Sequence, residues 1–192
     1  MAQPHDAKQQ LRDRHTAARA ALRADAATKA RLDEAIVEHT LACLRQFGAL
    51  GGAIAAYNPL PSEPGPADFA ARLAAHCEPV WLPISLDRAT LAWATATSGL
   101  TPGALGIAEP AGERHSSEVL DDCDLIVVPA LAVDATGMRL GKGAGYYDRA
   151  LAGRRTPTAA VVFDDELVDA VPHSPHDVPV DAVITPLGFR VL

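Results

Sequence analysis

Leu125-Ile126-Val127-Val128-Pro129-Ala130-Leu131-Ala132-Val133-Asp134, continuing through Gly137 to Arg139-Leu140-Gly141-Lys142-Gly143-Ala144-Gly145-Tyr146-Tyr147-Asp148-Arg149, carries most of the information in this chain. Leu125–Val128 is an unbroken apolar run, mostly β-branched and closed by Pro129, which predicts a strand buried on both faces. A loop to about Gly145 and a helix from Tyr146 to about Ala152 follow. A strand covered on both sides belongs in a parallel sheet between helices.

The flanking sequence supports that layout. Ala7–Ala24 is rich in Ala, Leu, Arg and Gln, all good helix formers. A second helix is expected from Thr28, as N-cap, to Phe47, with Leu32, Ile36, Cys43 and Phe47 on one face and Gly48 and Gly51-Gly52 ending it. Ala53–Tyr57 reads as a buried strand, Asn58–Pro66 as a proline-rich loop, and Pro66 as the start of a helix reaching about His76. Val80-Trp81-Leu82 is expected as a strand ended by Pro83, with Leu91–Ala94 as its hairpin partner. Thr95–Leu120, with its scattered Gly and Pro, reads as irregular; Ala159–Phe163 and Ala182–Thr185 are expected to be the last two strands. The sum is a three-layer α/β fold: a mostly parallel, Rossmann-like sheet with helices on both faces, in one domain over residues 1–192. Such sheets take ligands beyond the carboxyl ends of their strands, which points to the loops after Tyr57, Val128 and Phe163.

Composition narrows the function. With 192 residues, 48% hydrophobic and 21% charged, the chain can bury a core, and no internal repeat stands out. The net charge of −7 argues against a nucleic-acid partner, which would call for a basic face. An anionic small molecule would need locally placed cations and backbone amides. Cys43, Cys77 and Cys123 are odd in number and widely spaced, as expected of reduced, buried thiols rather than a zinc or redox motif. The first residues contain no apolar signal core, and no apolar run is long enough to span a bilayer. A soluble cytoplasmic protein is expected.

Gly141, Gly143 and Gly145 alternate, with Lys142 between the first two and Arg139 just before. Glycines let a backbone approach a ligand closely, and successive N–H groups can form an anion-binding nest at the start of the next helix. The spacing is neither that of a Walker A loop nor that of the dinucleotide fingerprint. Asp148, in the first turn of the helix, could help hold Mg²⁺ beside phosphates. Glycine spacing alone fits a phosphate cradle and a solvated flexible turn equally well.

The complete string is more specific. Together with Lys8-Gln9-Gln10-Leu11-Arg12 near the start, Tyr57 followed by Glu63, Gly106-Ile107-Ala108-Glu109-Pro110, and His176-Asp177, Asp181 and Thr185 near the end, it resembles the 5-formyltetrahydrofolate cyclo-ligases, also called methenyltetrahydrofolate synthetases, over nearly the whole chain. The resemblance implies ATP contacts for Lys8, Arg12, Arg139, Gly141, Lys142, Gly143, Gly145 and Tyr147. It implies folate contacts for Asn58, Glu63, Lys142, Gly143, Ala144, Gly145 and Tyr146, and Mg²⁺ positions at Asp148 and Asp177. Arg139, Lys142 and Asp148 become the candidate catalytic residues. Several have a plainer reading: Lys8 and Arg12, four apart on a helix, as a solvated face; Glu63 as an exposed loop carboxylate; Asp177 as a loop cap. Trp93 and Tyr57 are candidate walls of the folate pocket or simply core, with core the first reading for Trp93. Pro64-Gly65-Pro66 and Glu166 depart from the family's usual residues, an acidic residue with Thr and a Gln, respectively.

The implied reaction uses ATP, with Mg²⁺, as co-substrate. The N5-formyl oxygen of 5-formyltetrahydrofolate attacks the γ-phosphate, N10 then attacks the activated carbon, and phosphate leaves as the ring closes to 5,10-methenyltetrahydrofolate. The expected partners are small molecules, the folate with or without a polyglutamate tail, and the expected state is a monomer. Two other readings stay open: a sugar-phosphate isomerase or CoA-transferase-like enzyme, since those folds resemble this architecture, and a binding regulator without turnover.

Overall fold

The computed structural model describes residues 4–103 and 108–192, so Gly106 and Ile107 of the central motif lie outside the described residues. Helices α1 (Pro4–Ala24) and α2 (Ala26–Gln46) lead into β1 (Ile54–Ala55), α3 (Phe69–Ala74), β2 (Val80–Leu86) and β3 (Thr90–Thr95). A small hairpin follows, β4 (Leu100–Pro102) and β5 (Ala108–Pro110), then β6 (Leu125–Pro129), β7 (Ala132–Asp134) and β8 (Arg139–Leu140). The chain ends with α4 (Tyr146–Leu151), β9 (Thr158–Val161), β10 (Leu167–Val168), β11 (Ala182–Thr185) and β12 (Gly188–Val191).

The main sheet runs β12-β11-β9-β6-β1-β2-β3. Its middle five strands are parallel, and β12 and β3 close the two edges as antiparallel partners of β11 and β2. Side chains alternate between two cores, as the pleat requires. Val127, Val161 and Ile184 face α2 and α3 through Ile36, Leu44, Phe69 and Leu73. Ile126, Val128, Ala160 and Val183 face the other way, toward Leu120, Trp93, Ala150 and Leu151. Trp93 is therefore a core residue, fully buried, with its indole N–H donating to Ser117 Oγ at 3.0 Å. The three cysteines are free and buried, and burial pushes the Cys43 and Cys123 thiols up to about 12.

The structure departs from the sequence reading at several points. Thr95–Leu120, read as irregular, carries the antiparallel pair β4–β5, and the stretch read as a loop to Gly145 carries β7 and β8; strands of two or three residues are too short to show a period of two in the sequence. Asp25, not Thr28, caps α2: its carboxylate accepts the Thr28 amide at 3.1 Å, the reach of a short acidic side chain across the first turn. The chain turns at Pro66, whose carbonyl accepts the Phe69 amide, and α3 begins only at Phe69. Strand β2 continues through Pro83, because Pro83 opposes Trp93, whose own N–H and C=O point away to His115. The missing proline N–H therefore breaks no ladder bond. Strand β12, an edge strand with half-exposed and exposed residues, follows the strand expected to be last.

A second small sheet, β10-β7-β8, stands at the carboxyl end of β6 and carries Arg139. Its β7–β8 turn is tied by the buried Asp134, which accepts the Thr136, Met138 and Val171 amides at 2.9, 3.2 and 2.8 Å. Gly137 in this turn has φ +82°, and a Cβ there would run into the Val180 carbonyl oxygen. Gly137→Ala is expected to cost about 1–3 kcal/mol from the left-handed backbone alone, with the steric overlap adding to it. A lowered urea midpoint checks this; an unchanged midpoint would mean that the turn relaxes freely.

Candidate active site

A cavity of about 340 Å³ opens where β1 and β6 leave the sheet. Its walls are the segment after β1, the far half of β2, Pro129–Leu131 after β6, the Arg139–Asp148 loop, Asp177 and one face of α1. Every residue to which the resemblance gave an ATP, folate or Mg²⁺ contact lines it: Lys8, Arg12, Asn58, Glu63, Arg139, Gly141, Lys142, Gly143, Ala144, Gly145, Tyr146, Tyr147, Asp148 and Asp177. Of the three loops expected to matter, those after Tyr57 and Val128 form walls directly. The loop after Phe163 acts at one remove, through Glu166.

The glycine loop has the conformations its composition allows. Gly143 and Gly145 have φ of +101° and +73°, and Gly145 occupies the position just before α4. Gly143 also lets the Arg12 guanidinium come close: a Cβ there would lie 3.3 Å from its carbon. Arg12 Nε donates to the Gly141 carbonyl at 3.0 Å. Helix α4 is only six residues long, so the loop's own amides and cations carry more of any anion binding than a helix dipole does.

Three of the cations proposed for the site form ion pairs. Lys8 Nζ meets Asp177 Oδ2 at 2.6 Å, Arg139 meets Asp148 Oδ1 at 2.8 Å, and Lys142 Nζ meets Glu63 Oε1 at 2.7 Å. Glu63 is buried rather than an exposed loop carboxylate, and its other oxygen accepts the Leu60 amide at 2.8 Å. Asp177 does cap its loop, accepting the Ser174 amide at 2.6 Å, and also holds Lys8. Burial pushes its carboxyl up, but the Lys8 and Ser174 bonds and the charges of Lys8 and Arg139 outweigh that, leaving it below the usual aspartate range.

Arg139 is buried beside the Tyr147 ring, 5.8 Å from its centroid. Burial pulls its guanidinium below the usual value, opposed first by Asp148. Its Nε has no hydrogen-bond partner among the described residues. A buried donor left open at a cavity wall is suited to an acceptor supplied by a ligand. Tyr57 is both core and wall: it is buried, lines the cavity, and its hydroxyl donates to the Pro64 carbonyl at 2.9 Å. That bond fixes the Pro64-Gly65-Pro66 loop, together with the Gly65 amide donating to Asp33 at 3.0 Å. Asn58 Nδ2 donates to the Ala108 carbonyl at 3.3 Å.

Sequence reasoning gave no role to two charged residues of the cavity. Arg19 lines the floor and is buried, forming a two-pronged pair with Glu166 at 2.6 and 2.7 Å. Its signal was its position, seven residues after Arg12 on the same helix face. Glu109, buried with one oxygen accepting the Ser85 amide at 2.9 Å, lay within the central motif but had no role attached to it. Glu166, one of the departures noted from the resemblance, is the carboxylate that pairs with Arg19; burial pushes it up while the Arg19 bonds pull it down.

The 5-formyltetrahydrofolate cyclo-ligase family model matches residues 4–186. A 5-formyltetrahydrofolate cyclo-ligase of Mycolicibacterium smegmatis is 40% identical over 144 residues, covering 71% of this chain and 74% of that protein. The solved structure of Aquifex aeolicus 5,10-methenyltetrahydrofolate synthetase superposes with a TM-score of 0.78 at 28% identity, over 96% of this chain and 92% of the other. A 5,10-methenyltetrahydrofolate synthetase from Mycoplasma pneumoniae shares the fold, with a TM-score of 0.72 at 22% identity over 93% and 98% of the two chains. A motif-bearing cavity, a family match over nearly the full length and a relative aligned over most of its own length agree, and the chain belongs to the 5-formyltetrahydrofolate cyclo-ligase family.

Proposed function

We propose that this protein, acting as one domain over residues 1–192, converts 5-formyltetrahydrofolate to 5,10-methenyltetrahydrofolate with MgATP, releasing ADP and phosphate. The observation that carries the reading is the convergence of residues from α1, the post-β1 loop, the glycine loop and the Ser174–Asp177 turn on one cavity.

In this reading the two ends of the cavity divide the work. Lys8, Arg12, Arg139, Lys142, Tyr147 and the amides of Gly141, Gly143 and Gly145 receive the triphosphate. Glu63, Asn58 and the Lys142–Tyr146 rim receive the folate, the buried Glu63 carboxylate accepting from pterin N–H groups. Lys142, paired with Glu63 at 2.7 Å, stands between the two and can pass from the carboxylate to the transferring phosphate. Arg139 offers its open Nε donor to a phosphoryl oxygen. A poor nucleophile such as the formyl oxygen gains most from being held in line, and the rest of the catalysis is charge neutralisation in a partly desolvated site.

Asp148 and Asp177 would hold a hard divalent cation: both carboxylates line the cavity, and the ion would take the place of their present partners, Arg139 and Lys8. Among the described residues no cluster of three or more His, Cys, Asp or Glu forms a protein cage. That suits Mg²⁺, which takes one or two carboxylates and fills its shell with phosphate oxygens and water. When bound, the ion neutralises phosphate charge. The sheet order, with antiparallel edges on a parallel centre, also fits the sugar-phosphate isomerase/CoA-transferase-like architecture. Among the described residues no helix is long and apolar enough to cross a membrane. We place the enzyme in the cytoplasm as a monomer whose folate carries or lacks a polyglutamate tail.

Purified protein with 5-formyltetrahydrofolate should develop the methenyl-folate absorbance band only when ATP and Mg²⁺ are both present. Lys142→Ala and Asp148→Ala should each lower turnover by about 10²–10³-fold, the scale for removing a group that stabilises transition-state charge. Folded protein that gives no band would count against the reaction and favour binding without turnover. Glu63→Gln should raise KM for the folate by about tenfold with KM for ATP little changed; an equal rise in both would remove Glu63 from the folate end.

A further inference from the structure

Helix α1 is attached to the protein in an unusual way. It is 21 residues long, yet from Asp6 onward its only buried side chains are His15 and Arg19. Its apolar share is small: Leu11 packs at the edge of the Leu131, Leu140 and Val171 cluster. The inward stripe is polar instead, with Lys8, Arg12, His15 and Arg19 spaced by four, three and four residues, one helical face. Three ties run from this stripe to the body: Lys8 to Asp177, Arg12 to the Gly141 carbonyl, and Arg19 to Glu166 and the Ala130 carbonyl.

These ties are not equivalent. In the function proposed above, Lys8, Arg12 and Asp177 are groups that MgATP engages, so the first two ties are exchanged whenever ligand enters or leaves. The third involves no such group. Arg19 and Glu166 are 3% and 1% exposed at their side chains, and Glu166 is fixed in turn by the Phe163 amide at 2.8 Å. The Arg19 guanidinium also lies 5.7 Å from the Phe163 ring centroid. A planar, two-pronged pair sets orientation as well as distance.

We propose that Arg19 and Glu166 are positioning residues for the nucleotide: they anchor α1 on the carboxyl edge of the sheet and so hold Lys8 and Arg12 at the phosphate end of the cavity while those two exchange partners. This rests on the functional reading above, and specifically on Lys8 and Arg12 serving ATP. Neither member of the pair is a catalytic residue. Both work through the helix.

The test uses the full chain. Glu166→Ala should raise KM for ATP by about tenfold and change kcat at saturating ATP and KM for the folate by less than about threefold, with faster amide hydrogen exchange confined to α1. Glu166→Gln, which keeps one acceptor for Arg19, should recover most of the ATP KM; a general loss of packing would show no such recovery. Should Glu166→Ala fail to fold, Arg19→Lys decides, since it keeps the charge and loses the two-pronged geometry: a rise in KM for ATP with faster α1 exchange supports the anchor, and no change in either overturns it. Equal rises in both KM values would also overturn it. So would faster α1 exchange with an unchanged KM for ATP, and Lys8→Ala then separates the causes. If Lys8→Ala raises that KM, the anchor has failed; if it does not, the ATP role of α1 has.

Discussion

The position of β6 governs the rest of the molecule. It lies between parallel neighbours, β1 on one side and β9 on the other, and its residues are buried on both faces. A strand so placed has no free edge and no wet face, so the chain can change direction only at its end. There Pro129 stops the ladder, and the next backbone groups find partners outside the main sheet. The Leu131 amide donates to the Leu140 carbonyl at 2.7 Å, and the Ala130 carbonyl accepts from Arg19. These two bonds bring the glycine loop and α1 to the same spot. The cavity is the space left between them and the segment that leaves β1, so the site follows from satisfying the backbone at one strand terminus.

The helices divide into two kinds. Helix α2 is fastened by burial: Ile36, Cys43 and Leu44 sit in the core against the sheet. Such a contact is non-directional and tolerates small displacements. Helix α1 is fastened by charged and polar groups with defined geometry, and it is the one that reaches the cavity. The distinction matches what each has to do, since a helix that presents cations to a ligand needs its angle fixed more than it needs apolar area.

Much of this was legible in the sequence because the signals were long or local. Leu125–Val128 gave a buried strand from composition alone, and the alternating glycines with Tyr146 gave a loop followed by a helix. The Leu91–Ala94 run gave a hairpin partner, as β3 proved to be. What escaped was tertiary. Pro83 looks like a strand terminator until Trp93 is seen to bond elsewhere. Phe189 and Arg190 alternate too briefly, on too exposed an edge, to announce β12. At the site, the residues given ATP, folate or Mg²⁺ contacts were found through contiguous motifs, and all of them border the cavity. Arg19 was not, because an arginine in an Ala-rich amphipathic helix looks solvated until Glu166, 147 residues away in sequence, is placed against it. Conversely Glu63, whose plain reading was exposure, is buried by a loop whose shape depends on Tyr57 and Asp33.

Of the five cations that border the cavity, Arg12 meets a backbone carbonyl and is offset in sign by the lining carboxylate of Glu109, while the other four, Lys8, Arg19, Arg139 and Lys142, are members of ion pairs, each with its own carboxylate. Their fields largely cancel a few ångströms away, and the chain as a whole is negative. An approaching polyanion is therefore not drawn in from a distance, as it would be by an open basic funnel. Recognition begins only at contact, when ligand oxygens take over from protein carboxylates one pair at a time. A pocket built this way discriminates by shape and by the number of oxygens it can accommodate, and ionic strength should modulate its capture rate only weakly.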